Sequence, residues 1–430
     1  MSSNAAPSRL IALDVFRGLT IILMFTVNNP GTWTFIYDPL EHAKWHGWTP
    51  TDWVFPFFLF TVGVSAWFSL KKYQDAKAPS ALYWKIIKRG TLIFLIGFGL
   101  NCYLTTKTIE TIRIMGVLQR IGLAYLFGSL ICVTFSQRIV AIIGGAILVG
   151  YWVLIYTTGD PSYPFGLHDG AKYLGLDNNL VTRLDQMILG KAHLYTGYDG
   201  IPFDPEGLLS TLPAIVTVIC GYFTGKLIDA FPNRLELVKK MFVLGLVALG
   251  IGWLLNSDSI LRGYAFPINK PIWSSTYVIF MAGWCLVINA FLIWIIDVQG
   301  WRGWTKPVLV LGMNSLLAFV VSGMWAKTAA RIKFPSSYEM VTDTTTRIST
   351  PKMIGTNQKI YEDIFCPITT DRQLLMDVKT KVITKDNNPV AFADFAAKQK
   401  KSSFLFALYS VVLFWFILWI FYRNNIFLKV

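Results

Sequence analysis

Ten apolar runs, each close to the roughly 20 residues that a helix needs to cross a bilayer, recur along the chain and leave little room for any other architecture. They fall at roughly 14–29, 51–70, 88–104, 114–135, 138–157, 208–229, 239–255, 273–296, 306–327 and 403–422. Inside lipid every backbone N–H and C=O must be satisfied within its own segment, so runs of this length read as membrane helices. The expected fold class is an all-α integral membrane protein, a bundle of about ten transmembrane helices with two long outer loops. Residues 1–430 read as a single transmembrane domain. One loop is 158–207, rich in Gly, Tyr and Asp; the other is 328–402, polar enough to form an outer loop or a small cap before the last helix. Asp14 and Arg17 interrupt the first run. The N-terminal stretch MSSNAAPSRLIALDVFRG shows no basic region followed by an unbroken apolar run and cleavage site, so the first span is expected to stay as a signal anchor.

Composition sharpens this and removes one function class. Charged residues make up only 15% of the chain against 54% hydrophobic, where a soluble domain carries about 25% charged. The net charge of +14 would otherwise suggest nucleic acid. It lies largely in short connections between apolar runs, where a positive-inside bias accounts for it. Lysine and arginine favour the side that holds Arg9, Lys71, Lys72, Lys77, Lys85, Lys88, Arg89, Arg138 and Arg302. Both termini are therefore expected on the cytoplasmic side. The five cysteines have no metal-ligand spacing, and four lie in or beside apolar runs, so they read as small buried residues.

That orientation puts the only four histidines, His42, His46, His168 and His193, in outer segments. Histidine is the side chain best suited to proton transfer near neutral pH, so any histidine chemistry belongs to the outer face. Asn28 and Asn29 close the first span, Asp52 opens the second, and the short loop between carries His42. A carboxylate on one imidazole nitrogen fixes the tautomer and makes the other nitrogen a better base. Asp52 serves equally well as a helix cap, shared with Thr49 or Thr51. His42 and His46 have the four-residue spacing of helical metal ligands, but Pro39 and Gly47 oppose a regular helix there, and no metal is expected. Within the apolar runs, Asp14 and Arg17 can pair on one helix face, Arg120 lies beside Gln119 near the outer end of the fourth run, and Asn314 and Ser315 interrupt the ninth. Such residues either bind ligands or join helices. Asp204 and Glu206, in Phe203-Asp204-Pro205-Glu206-Gly207, either recognise an amine or sugar hydroxyls or cap the following helix.

The motifs D-V-F-R-G, V-N-N-P-G, E-H-A-K-W-H-G and T-D-W-V-F-P-F-F-L-F between Leu13 and Gly63 resemble those of the heparan-α-glucosaminide N-acetyltransferase family. R-I-M-G-V-L-Q-R-I-G-L-A-Y (113–125), F-D-P-E-G-L-L-S-T (203–211) and L-G-M-N-S-L (311–316) are similar to it in the same order. The resemblance implies an acyltransferase that takes the acetyl group of cytosolic acetyl-CoA to the amine of a glucosamine-type sugar on the far, periplasmic side. It places the active-site histidine on His42, with Asn28 and Asp52 as catalytic neighbours. Arg17, Arg120 and Asn314 are the expected acetyl-CoA contacts, and Asp204, Glu206 and Trp45 the expected acceptor contacts. His42 would act as general base or as acetyl carrier. The lysosomal relatives carry a large domain before the first matching span, whereas this chain starts almost at it, which suggests a compact bacterial protein of the cytoplasmic membrane. Membrane lipid and a second copy of the chain are further expected partners. The alternative reading is a transporter of amino sugars or other small solutes, which usually needs a carboxylate near mid-membrane; the acids here sit at span ends.

Overall fold

The computed structural model describes residues 10–73, 78–160, 162, 165, 176, 179–198, 200–261, 263–342, 349–379 and 383–428. His168, Arg9 and Lys77 lie outside the described residues. The chain divides into two compact units. One contains residues up to Thr20 and Ala43–Gly312; the other contains Ile21–His42 and Met313–Leu428.

Every apolar run is helical. In chain order the helices of the first unit are α1 Ile11–Asn28, whose second half belongs to the other unit, α2 Val54–Leu70, α3 Ser80–Cys102, α4 Val117–Thr134 and α5 Gln137–Thr158. They continue with α6 Leu180–Leu189, α7 Thr211–Ala230, α8 Arg234–Asn256, the short α9 Asp258–Leu261, α10 Ser275–Ile293 and α11 Thr305–Met313. The second unit holds α12 Ser315–Arg331, strands β1 Lys333–Thr342 and β2 Ser349–Gly355, α13 Thr356–Ile360, α14 Cys366–Thr369, α15 Arg372–Lys379 and α16 Pro389–Arg423. Eight of these helical segments, with the turns that extend α2 and α10, are long and apolar enough to cross a membrane; α11 with α12 makes a ninth if the pair is one broken span. α3 covers the remaining run, with Lys85, Lys88 and Arg89 in its first half. The protein is an all-α multi-pass membrane protein.

Small residues decide how closely the helices of the first unit approach. A Cβ on Gly63 of α2 would lie 1.9 Å from the Val218 carbonyl oxygen of α7, and one on Gly221 would lie 2.0 Å from that of Phe60. Gly90 and Gly122 bring α3 and α4 together, and Gly245 and Gly283 do the same for α8 and α10. With no hydrophobic gain from joining helices in lipid, such close contact is what holds a bundle together. α5 and α8 leave Ile142, Val149, Val153, Val243, Val247 and Trp253 exposed, as lipid-facing helices should. Where segments start, polar side chains take up free amides: Asn233 accepts from Leu235 N at 3.1 Å, and Ser274 from Tyr277 N at 3.2 Å.

In the second unit, β1 and β2 form an antiparallel hairpin, and α13 continues through a π turn (Tyr361–Phe365) into α14. Tyr361, Cys366, Leu375, Phe395 and Phe406 form its core. α16 has 35 residues, roughly 50 Å at 1.5 Å per residue, against a hydrocarbon layer of about 30 Å. Its polar first part, up to Ser402, therefore extends out of the lipid.

Candidate functional site

The first unit gathers the N-terminal ends of α2, α4, α7 and α10 at one end of the bundle. Tyr277 of α10 donates its hydroxyl to the Asp52 carbonyl oxygen at 2.6 Å, and the Trp273 ring just before α10 lies 5.2 Å from the Arg120 guanidinium of α4. Arg120 in turn donates to Ser210 Oγ, immediately before α7. Four helix N-termini carry partial positive charge, and Asp52, Asp204 and Glu206 lie among them.

Asp52 closes the loop that follows His42. Its Oδ2 accepts the backbone amides of Ala43 at 3.1 Å and Thr49 at 3.0 Å, and the Thr49 hydroxyl at 3.3 Å. Its Oδ1 meets Lys270 Nζ at 3.2 Å, and the residue is only 1% exposed. The cap with Thr49 and the tie to Ala43 thus share one carboxylate. The loop itself is a 3-10 turn at Asp38–Leu40 followed by irregular backbone, with Gly47 at φ 92°, a conformation that favours glycine. His42 and Asn28 are exposed, and both belong to the second unit, whereas Asn29 is buried and donates to the Phe25 carbonyl at 2.9 Å. His46 Nδ1 lies 3.3 Å from Asn269 Nδ2, and His193 Nδ1 lies 2.8 Å from the Ile112 carbonyl oxygen. Among the described residues no group of three His, Cys, Asp or Glu side chains could hold a metal.

The second cluster is built on residues 203–211. Arg113, just before α4, makes a two-point contact with the fully buried Asp204 (Nε–Oδ2 2.8 Å, Nη2–Oδ1 2.6 Å) and reaches Glu206 Oε2 at 2.5 Å. Burial opposes the charge on Arg113. The bond to Asp204 and the charge of Glu206 outweigh it and hold its pKa above the ordinary guanidinium value. Arg120, 0% exposed, also donates to the Gly207 carbonyl oxygen at 3.2 Å, while its Nε and Nη1 have no hydrogen-bond partner. Asp185 of α6 accepts from Leu208 N at 2.9 Å, and its second oxygen lies where a side chain on residue 207 would stand, 1.7 Å from an ideal Cβ. A side chain on residue 207 would have to displace the Asp185 carboxylate.

The structure therefore brings Asp52, Arg120, Asp204 and Glu206 to one end of one unit. Trp45 joins them, but as a buried ring against Phe203 (5.5 Å) and Tyr198 (6.0 Å), with no hydrogen-bond partner for its indole nitrogen. Arg17 pairs with Asp14 at 3.0 Å and with Ser65 Oγ at 2.5 Å. Ser65 is 13 residues beyond Asp52, roughly 20 Å along the helix, so Arg17 sits at a different depth. Asn314 breaks the ninth run, and both ends of its amide bind the C-terminal segment: Nδ2 donates to the Ile426 carbonyl at 3.0 Å and Oδ1 accepts from Leu428 N at 3.2 Å. The sequence alone did not single out Lys270, Tyr277 or Asp185, and Arg113 entered only as the first residue of the motif 113–125. For Asp185 a signal existed: it lies four residues after the buried Val181, on the inward stripe of an amphipathic helix.

Burial pushes the Asp185 carboxyl from 3.8 up to about 6, against the opposing Leu208 amide and the Arg120 charge. A raised acid pKa means that the folded protein binds more protons than the unfolded chain between about pH 4 and 6, so this group's contribution falls as pH rises through that window. About two pKa units correspond to about 3 kcal/mol. Thermal unfolding in detergent at pH 4, 5, 6 and 7 should show the Asp185→Asn variant losing less stability than wild type up to pH 6. Parallel curves for the two proteins would remove the buried carboxyl from this account.

Fold and site together define a multi-pass helical membrane protein with a charged cluster where four helix N-termini meet. Residues 9–174 match the family described as heparan-alpha-glucosaminide N-acetyltransferase, catalytic. The chain is 28% identical over 363 residues to the human heparan-alpha-glucosaminide N-acetyltransferase, covering 74% of this chain and 53% of the human one. It is equally 28% identical to the mouse protein over 359 residues, 74% of this chain and 54% of that one. The family model and both relatives carry the same description. It spans about half the length of the curated relatives it matches.

Proposed function

We propose that this chain is a transmembrane acyltransferase that moves the acetyl group of cytosolic acetyl-CoA to the amine of a glucosamine-type sugar on the opposite side of the membrane. The observation that carries the reading is the tie from Asp52 to Ala43 and Thr49, which fixes the loop leading away from His42, inside the region that matches the family. A buried carboxylate that holds two backbone amides keeps the segment after His42 in one conformation, and general acid–base chemistry benefits from such fixed backbone.

In direct transfer His42 takes the proton of the attacking amine, a C–N bond forms, the thioester C–S bond breaks, and the CoA thiolate leaves to be protonated. In the two-step route His42 attacks the thioester itself and then passes the acetyl group to the amine. Either way the carbonyl oxygen gains negative charge, and the exposed Asn28 amide is a donor suited to it. Arg120, whose buried Nε and Nη1 have no hydrogen-bond partner, is a candidate for an anionic oxygen of the donor. Arg17, at its different depth, suits the polyanionic nucleotide end of acetyl-CoA. We assign Asn314 to holding the C-terminal segment and not to the donor. Of the two carboxylates after Phe203, Asp204 is fully buried whereas the Glu206 side chain retains 12% exposure. Glu206 is therefore the one to meet an acceptor amine, with Asp204 and Arg113 holding it in place.

The test is purified protein in liposomes with labelled acetyl-CoA and free glucosamine. Labelled N-acetylglucosamine is expected; sugar carried across the membrane without acetylation would make the protein a transporter. In the same assay Asp52→Asn should fold and transfer at least about tenfold more slowly, a loss of about 1.4 kcal/mol of transition-state stabilisation. An unchanged rate would leave Asp52 a helix cap and nothing more.

A further inference from the structure

The segment between β2 and α15 is polar by sequence, and nothing in its composition places it in lipid. Its packing does. Phe365, in the π turn, stacks its ring edge against Phe406 (5.4 Å) and lies 5.5 Å from Tyr409. Both partners belong to the apolar run 403–422 of α16, one to two turns inside its start. The neighbouring polar bonds mark the border of that run: Thr369 Oγ1 donates to the Lys398 carbonyl at 2.9 Å, and Tyr361 donates to Gln399 Oε1 at 2.6 Å. The turn therefore lies at the level where α16 passes from polar to apolar.

On the side away from α16, Ile364 and Ile368 are 54% and 63% exposed. They are four residues apart, the spacing that shares a helix face. α16 itself exposes Leu408, Val412 and Phe416, spaced four residues apart along its apolar run. The charged groups of the segment turn elsewhere: Asp363 takes Ser337 Oγ at 2.7 Å and Lys359 Nζ at 3.1 Å, and Glu362 is buried against Ser336 Oγ at 2.8 Å. A helix turn with its apolar residues on one face and its ions on another, at this depth, has the amphipathic character of an interfacial element.

We infer that Thr356–Thr369 lies in the bilayer interface, with Ile364 and Ile368 against lipid acyl chains. The 328–402 segment is then not a cap held wholly in water; part of it rests in the membrane beside α16. The inference does not depend on the proposed activity.

The test uses the full chain in phosphatidylcholine liposomes with labelled acyl chains. p-Benzoylphenylalanine replaces Ile364, Ile368 or, as the water-side control, the exposed Asp386 in the turn before α16. Irradiation should give lipid adducts at positions 364 and 368 several-fold above those at 386. Adduct levels equal to the control would overturn the inference, and so would crosslinks to a second copy of the chain in place of lipid. Because both isoleucines are exposed, the replacements should not disturb folding; a melting midpoint matched to wild type confirms that each result is read from native protein.

Discussion

The His42→Ala variant should lose acetyl transfer from acetyl-CoA to glucosamine while its unfolding midpoint and its binding of CoA stay at wild-type values. His42 is exposed, so removing the ring opens no buried cavity, and surface changes of that kind are worth within about 0.5 kcal/mol. The loss of rate separates the two routes. If the imidazole serves as general base, the variant should retain a residue of activity, lower by about 10²–10⁴-fold. If it carries the acetyl group, no transfer should remain. A second measurement decides independently: exchange of labelled CoA into acetyl-CoA without any acceptor requires an acetyl-enzyme. Full activity in the variant would sink the assignment of His42 under either route.

The spans were legible because lipid imposes a length and a composition that no other fold requires, and all ten apolar runs became helices. The boundaries were less so. α3 begins at Ser80, eight residues before its apolar run, because a turn bearing Lys85 and Lys88 scores as polar although it is helical. α16 likewise starts fourteen residues before its apolar run, at Pro389, because Asp394, Lys398, Lys400 and Lys401 break the apolar pattern of that stretch. The Thr49–Asp52 cap could be read from four adjacent letters, since both ends of the bond are local. Asp52 to Lys270 and Arg113 to Asp204 could not, because each joins parts of the chain that only the packed bundle brings together. The lipid level of Phe365 was hidden for the same reason: its depth is set by Phe406 and Tyr409, and not by its own neighbours in sequence.

The second large effect is expected on stability. Arg113→Leu keeps a bulky aliphatic side chain over the Tyr195 ring, which the guanidinium now faces at 4.9 Å, but removes both bonds to Asp204 and the contact with Glu206. Asp204 has no exposed surface, so water cannot replace the lost partner. Breaking a buried pair from one side costs about 3–5 kcal/mol. Arg120 does not take over, since the one nitrogen it commits here goes to the Gly207 carbonyl and Ser210. Removing the second charge should undo part of the damage: Arg113→Leu with Asp204→Asn is expected to unfold later than Arg113→Leu alone, because no ion is then left stranded. Lys71→Ala provides the comparison. Lys71 and Asp229 meet at 2.7 Å, as close as the Arg113 pair, but the two side chains are 34% and 27% exposed, and pairs open to solvent are worth about 0–1 kcal/mol. If thermal unfolding in detergent ranks Lys71→Ala as costly as Arg113→Leu, then burial does not set the value of the Arg113–Asp204 pair. The charged cluster would in that case be an exposed surface feature, and Glu206 would lose the rigid support that acceptor recognition requires of it.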